Sequence, residues 1–191
     1  ALDGGALERL LAAGVDQAAA ATSMAAGLAG AARLLVTGSG ADVPAARELA
    51  LKVEEASYLP ATARELETVL HGHLAAADPT TAVVLLLADR AQRGARAARA
   101  RAILEAIRVL GLPAGAILTA EVADAWPSAL TPLGRLRVPE AAGLPGAVAA
   151  LVGTATPLQV LTERLARARG TNPDTLRRTE RRYREAAAAV E

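Results

Sequence analysis

Cysteine and phenylalanine are absent from this 191-residue chain, and lysine occurs once, as Lys52. Without cysteine there is no disulfide, no thiol nucleophile and no thiolate metal ligand, a composition that fits a reducing compartment. The two histidines, His71 and His73, stand two residues apart and cannot close a metal site by themselves. Aromatic residues are limited to Tyr58, Trp126 and Tyr183, which leaves no platform for stacking nucleic-acid bases. A formal net charge of +1 gives no global field toward nucleic acid or an anionic membrane. Residues 18–32 are apolar by count but mostly Ala and Gly, too weakly hydrophobic for a bilayer span and without the basic start of a secretion signal. The chain therefore reads as cytoplasmic, with no nucleic-acid partner, no membrane partner and no cofactor.

What is present is alanine. It supplies most of a 52% hydrophobic content but buries little area per residue, so a core must rest on Leu, Val and Ile brought together by close helix contacts. The length suits one domain of ordinary size. Residues 5–29 carry Leu7, Leu10, Leu11, Val15 and Leu28 at a loose helical period and predict one opening helix. Residues 33–40 predict a strand ending on the loop Gly38-Ser39-Gly40, and residues 41–57 a helix with Pro44 in its first turn. A short strand at 61–63 and a helix at 65–75 follow. Residues 81–88 form a continuous apolar run, as expected of a parallel strand buried on both faces. A helix over 90–110 with Ile103, Leu104, Ile107 and Leu110 inward, strands at 116–120 and 135–138, a connector between them and a helix over 144–169 complete the pattern. Arg90, Arg93, Arg96, Arg99 and Arg101, and the arginines of the helical tail 175–191, read as solvated faces.

Strands alternating with long helices define an α/β protein, a three-layer αβα sandwich around a five-stranded parallel, flavodoxin-like sheet. Ligands of such sheets sit beyond the carboxyl ends of the strands, which makes Ser39 and Gly40 candidate substrate-binding residues. The same Gly-Ser-Gly would serve equally as a tight turn into a helix.

The groups able to move a proton near neutral pH are concentrated in one window of 22 residues, from Lys52 to His73. It also holds Glu54, Glu55 and His71. Lys52 and Glu55 are three residues apart on one predicted helix and share a face, about 4.5 Å apart along its axis. On a solvated face such a pair is an ordinary ion pair, and Glu48 competes for the same lysine. In a desolvated cleft it is a carboxylate base with a charge beside it.

The stretch Leu49 to Ala76, LALKVEEASYLPATARELETVLHGHLAA, resembles the sugar-isomerase (SIS) family, in particular the second SIS domain of the glucosamine-6-phosphate synthases and of related amino-sugar-phosphate deaminases and deglycases. Lys52, Glu55, His71 and Gly72 fall on that family's pattern without a gap. Pro157-Leu-Gln159, Arg169 to Asp174 and Val138-Pro-Glu140 are similar to its later segments. The resemblance implies a SIS domain of the second-half type over residues 1–174, followed by the tail, with a first half expected upstream. It also implies a sugar phosphate or amino-sugar phosphate as substrate. Glu55 would carry a proton between adjacent sugar carbons, Lys52 would provide the charge beside it, and His71 would act as the ring-opening or leaving-group acid/base. In related isomerases that histidine comes from the neighbouring subunit, which implies a homodimer with a shared active site. The family's Ser-x-Ser-Gly-x-Thr phosphate loop is replaced here by Asp89-Arg-Ala-Gln-Arg93, the expected proline after Gly72 by His73, and a C-terminal lysine by Arg181. With no cysteine nucleophile either, the expectation is a phosphosugar isomerase, deaminase or deglycase and not a glutamine-using amidotransferase. The alternative is a non-catalytic phosphosugar sensor.

Overall fold

The central strand explains the layers. In a computed structural model that describes residues 2–189, every residue of β3 (Thr81–Leu87) is buried. Successive side chains of a strand point to opposite faces, so Ala82, Val84 and Leu86 enter one core while Val83, Leu85 and Leu87 enter a second. Around β3 lie β1 (Arg33–Gly38), β2 (Ala61–Glu65), β4 (Ala114–Thr119) and β5 (Arg135–Val138), all parallel, in the order β2-β1-β3-β4-β5. This is the expected flavodoxin-like sheet.

One face is covered by α1 (Gly4–Val15), α2 (Ala18–Leu28), α3 (Asp42–Ser57) and α7 (Gly146–Ala168). The other is covered by α4 (Leu66–Val69), α5 (Arg93–Val109) and α6 (Ala120–Ala125). The first core joins Leu10, Met24, Leu28, Leu49, Val53 and Leu161, and alanines fill the spaces between them. The second joins Leu66, Val69, Ile103, Leu104, Ile107 and Leu118. Leu110, expected inward, is 47% exposed because α5 ends one residue earlier.

The expected opening helix is two helices. It breaks at Asp16-Gln17, where the Gln17 side-chain amide donates both to the Ala13 carbonyl of α1 at 2.9 Å and to the Arg137 carbonyl at 2.7 Å, and accepts from the Arg137 N–H. That contact satisfies the free edge of β5, which would otherwise expose unpaired backbone. The expected helix over 65–75 is also interrupted. Gly72 takes φ 114°, a conformation that favours glycine, and divides the four-residue α4 from a 3-10 turn at His73–Ala76. Part of the connector between the last two strands is helical, as α6 and a 3-10 turn at Ser128–Leu130. The tail forms a 3-10 turn at Pro173–Thr175 and α8 (Arg181–Ala188). Ala1, Val190 and Glu191, which belong to the expected domain and tail, lie outside the described residues.

Candidate functional site

The site begins with the last turns of α3. Pro44 at the third helical position lacks an N–H that would in any case have no helical partner, so it starts the helix without loss. At the far end the exposed carbonyls are taken up one by one. Ser57 Oγ donates to Val53 O at 2.7 Å, Thr171 Oγ1 to Ala56 O at 2.7 Å and Arg169 Nε to Ser57 O at 2.9 Å. The segment that follows α7 thus pins the turn that carries the candidate residues. Tyr58, left-handed at φ 55°, adds a second tie. Its hydroxyl donates to Asn172 O at 3.1 Å and accepts from the Arg177 N–H at 3.0 Å. The Arg177 guanidinium lies over the rings of both Tyr58 and Tyr183, 4.7 and 4.6 Å from their centroids.

On this pinned turn Lys52 Nζ donates to Glu55 Oε2 at 2.7 Å. The hydrogen bond to Glu55 raises the lysine above its ordinary value, with desolvation opposing it and the charges of Glu55 and Glu48 adding to it. Lys52 is therefore a fixed ammonium and not a base. Its hydrogen bond goes to Glu55, and Glu48 acts on it through charge alone. The pair lines a cavity of about 210 Å³ together with Gln159, Thr162, Glu163 and Leu176. Both side chains are about 40% exposed (41% and 39%), open to a ligand from outside. Glu54 points elsewhere and accepts the Ala61 N–H at 3.1 Å.

His71 is not in this cavity. It follows α4, on the α5 side of the sheet, with its side chain 72% exposed and its Nε2 3.7 Å from Glu67 Oε1. A single chain therefore unites Lys52 with Glu55 but holds His71 apart from them. His71 is closer to the other predicted group. Glu67 lines a cavity of about 350 Å³ together with Ser39, Leu66, Ala95, Arg96 and Arg99, at the carboxyl end of β1.

That rim is filled from within. Arg96 Nε donates to Ser39 Oγ at 2.8 Å, and the same guanidinium contacts Asp42 at 2.6 Å and Asp89 at 3.0 Å. Gly40, at φ 57°, leaves only 3.1 Å between a would-be Cβ and Asp89 Oδ2. The Asp42 carboxylate accepts the N–H groups of Ala88 and Asp89, each at 3.0 Å, and Asp89 accepts the N–H of Ala41 at 3.2 Å. Burial pushes the Asp42 carboxyl up, and the amide hydrogen bonds and Arg96 partly offset it. Backbone amides that would cradle a phosphate elsewhere are occupied here by the chain's own carboxylates. The expectation of a solvated arginine face fails at this point, because the Arg96 side chain is 12% exposed and that of Arg93, paired with Glu121 and Glu140, 19%. Asp42, Asp89, Arg96 and the Tyr58–Arg177 tie were missed in the sequence. The Arg169 to Asp174 motif signalled only the tie to Tyr58, through Asn172, and the rim network had no signal there.

A doubly wound parallel sheet, with an ion pair at the end of the helix after its first strand, defines the structural class. The sequence agrees with a particular family: residues 27–120 match the family model described as SIS domain. Its fold is similar to the C-terminal domain of glucosamine-fructose-6-phosphate aminotransferase from Francisella tularensis, with a TM-score of 0.73 at 20% identity over 87% of this chain and 44% of that one. It is also similar to tagatose-6-phosphate ketose/aldose isomerase from Escherichia coli, with a TM-score of 0.62 at 22% identity over 80% of this chain and 40% of that one. The chain thus spans less than half the length of these two. A third similar structure is the sugar isomerase domain of the RpiR transcription factor from Sphaerobacter thermophilus, with a TM-score of 0.67 at 16% identity over 92% of this chain and 94% of that one. The sequence has no match among curated proteins. Among the described residues no helix is long and apolar enough to cross a membrane, and no group of acidic and histidine side chains could hold a metal ion.

Proposed function

We propose that this chain acts on a ketose phosphate or amino-sugar phosphate by moving a proton between adjacent sugar carbons. Glu55 takes the proton from the carbon beside the carbonyl of the open-chain sugar, leaving an enediolate or enolamine. It then returns the proton to the neighbouring carbon, while the hydroxyl proton of the first carbon passes to the oxygen or nitrogen of the former carbonyl or imine. Lys52 supplies a fixed positive charge next to the developing oxyanion. His71, brought by a second copy of the chain, opens the ring or protonates the leaving group. The observation that carries this reading is the 2.7 Å Lys52–Glu55 pair at the mouth of a cavity, on a helix end whose Ala56 and Ser57 carbonyls are tied to Thr171 and Arg169. The separation of His71 from Glu55 supports a homodimer, because in one chain the groups face different ways around the β2 edge of the sheet. Ser39 and Gly40 enter the proposal as the framework of the rim beside His71.

Fructose 6-phosphate and glucosamine 6-phosphate incubated with the protein in deuterated water test the chemistry. Wild type is expected to exchange the proton next to the carbonyl carbon, and Glu55→Gln to bind without exchange. Exchange by Glu55→Gln within a fewfold of wild type overturns the assignment. A second reading, a phosphosugar-sensing module, is favoured by the similarity to the RpiR domain, which extends over nearly the full length of both chains. Saturable binding with no exchange in wild type supports that reading.

A further inference from the structure

His73 has no place in the site proposed above, and it lines a different cavity. This cavity, about 530 Å³, lies at the amino ends of β1 and β2, opposite the rim where ligands of parallel sheets usually sit. Its apolar part is made by Leu34, Pro60, Ala76 and Ala77, and its charged part by Arg33, Arg64, His73 and Glu54. Among the lining residues two arginines face one glutamate, with Asp78 outside the lining beside Arg33.

The cationic groups are held loosely. Arg33 Nη2 lies 3.9 Å from Asp78 Oδ2, with both side chains about half exposed. Among the described residues, Arg64 Nη1 donates at 2.9 Å only to the carbonyl of its own neighbour, Ala63, and β2 is an edge strand with no further strand beyond it. The carboxylate of Glu54 is already engaged by the Ala61 N–H. This contrasts with Arg96 at the opposite rim, whose guanidinium is fully committed to Ser39, Asp42 and Asp89. Guanidinium groups with free donors, set over an apolar floor in a cleft of ligand size, suit an oxyanion on a short apolar body.

We infer that this cleft is a second binding site, taking a small organic phosphate monoester through Arg33, Arg64 and His73. It is separate from the Lys52–Glu55 cavity but shares a helical turn with it, because Glu54 lines one cavity and Glu55 the other. An occupied cleft would therefore touch the turn that carries the proposed base.

Titration of the full chain with phenyl phosphate, followed by amide chemical shifts, tests the inference. Saturable shifts are expected at Leu34, Ala61 and Ala76, with inorganic phosphate binding more weakly. Arg33→Ala and Arg64→Ala are each expected to weaken binding at least tenfold, and Glu55→Gln to leave it unchanged even if turnover is lost. Thr62→Glu, an exposed position in the same lining that leaves both arginines in place, should also abolish binding. The site is refuted if no saturable shift occurs, if the shifts centre on Gly38 to Ala41 or on Gln159 to Glu163 of the Lys52–Glu55 cavity, or if folded variants bind like wild type.

Discussion

Replacing Arg96 with methionine would remove one guanidinium and keep most of the side-chain volume. Arg96 is 12% exposed and neutralises two carboxylates, Asp42 at 0% and Asp89 at 7%. Removing one partner of a buried ion pair costs about 3–5 kcal/mol because the remaining charge is left without compensation. Domains are stable by about 5–15 kcal/mol in total, so this substitution takes a large share. At about 2–4 °C per kcal/mol for a chain of this size, Tm should fall by about 6–20 °C. The pH dependence follows from Asp42, whose carboxyl is already raised by burial and rises further without Arg96. A group whose folded pKa lies above its unfolded value binds protons more readily when folded, so acid favours the folded state. The deficit of Arg96→Met should therefore be largest above the raised Asp42 value and shrink as pH falls from neutral toward the ordinary carboxylate range. Urea melts at pH 7 and pH 5 measure this. Adding Asp42→Asn should recover part of the loss, since the two residues are coupled. A cost under about 1 kcal/mol at pH 7, or a deficit that grows in acid, refutes the reasoning.

Tyr58→Phe deletes the hydrogen bonds to Asn172 and to Arg177 of the tail, each contributing about 1 kcal/mol, and keeps the ring under Arg177. It should speed tryptic cleavage near Arg177 and Arg178 while shifting Tm by only a few degrees, as limited proteolysis and a thermal melt will show. Lys52→Met should lower the exchange rate of a sugar phosphate by about 10²-fold, in the range of a single electrostatic contact in a site, with Lys52→Arg recovering part of it. An unchanged rate in Lys52→Met would remove the lysine from the mechanism.

The sheet was legible because β3 is a continuous apolar run and because β1 ends on Gly38-Ser39-Gly40 and β5 is followed by Pro139. The Lys52–Glu55 pair was legible because a spacing of three residues in a helix fixes proximity by itself. The network at the rim was not. Asp42 and Arg96 are 54 residues apart, and an arginine in an Ala-rich helix looks the same in sequence whether it faces water or a buried carboxylate. The break at Gln17 has the same origin, since its partner is the backbone of Arg137, 120 residues away. His71 fell between the two cases. Its local setting next to Gly72 was readable, but its distance from Glu55 depends on α4 packing against the opposite face of the sheet from α3.

The account rests on Glu55 and His71 acting together from different copies. Mixing Glu55→Gln with His71→Ala, each inactive alone, and measuring deuterium exchange into a sugar phosphate tests this most directly. Hybrid dimers restore one intact site, so recovery of about a quarter of the wild-type rate is predicted for random pairing at equal amounts, since half the dimers are hybrids and each carries one of two sites. A mixture no more active than its components would contradict the account.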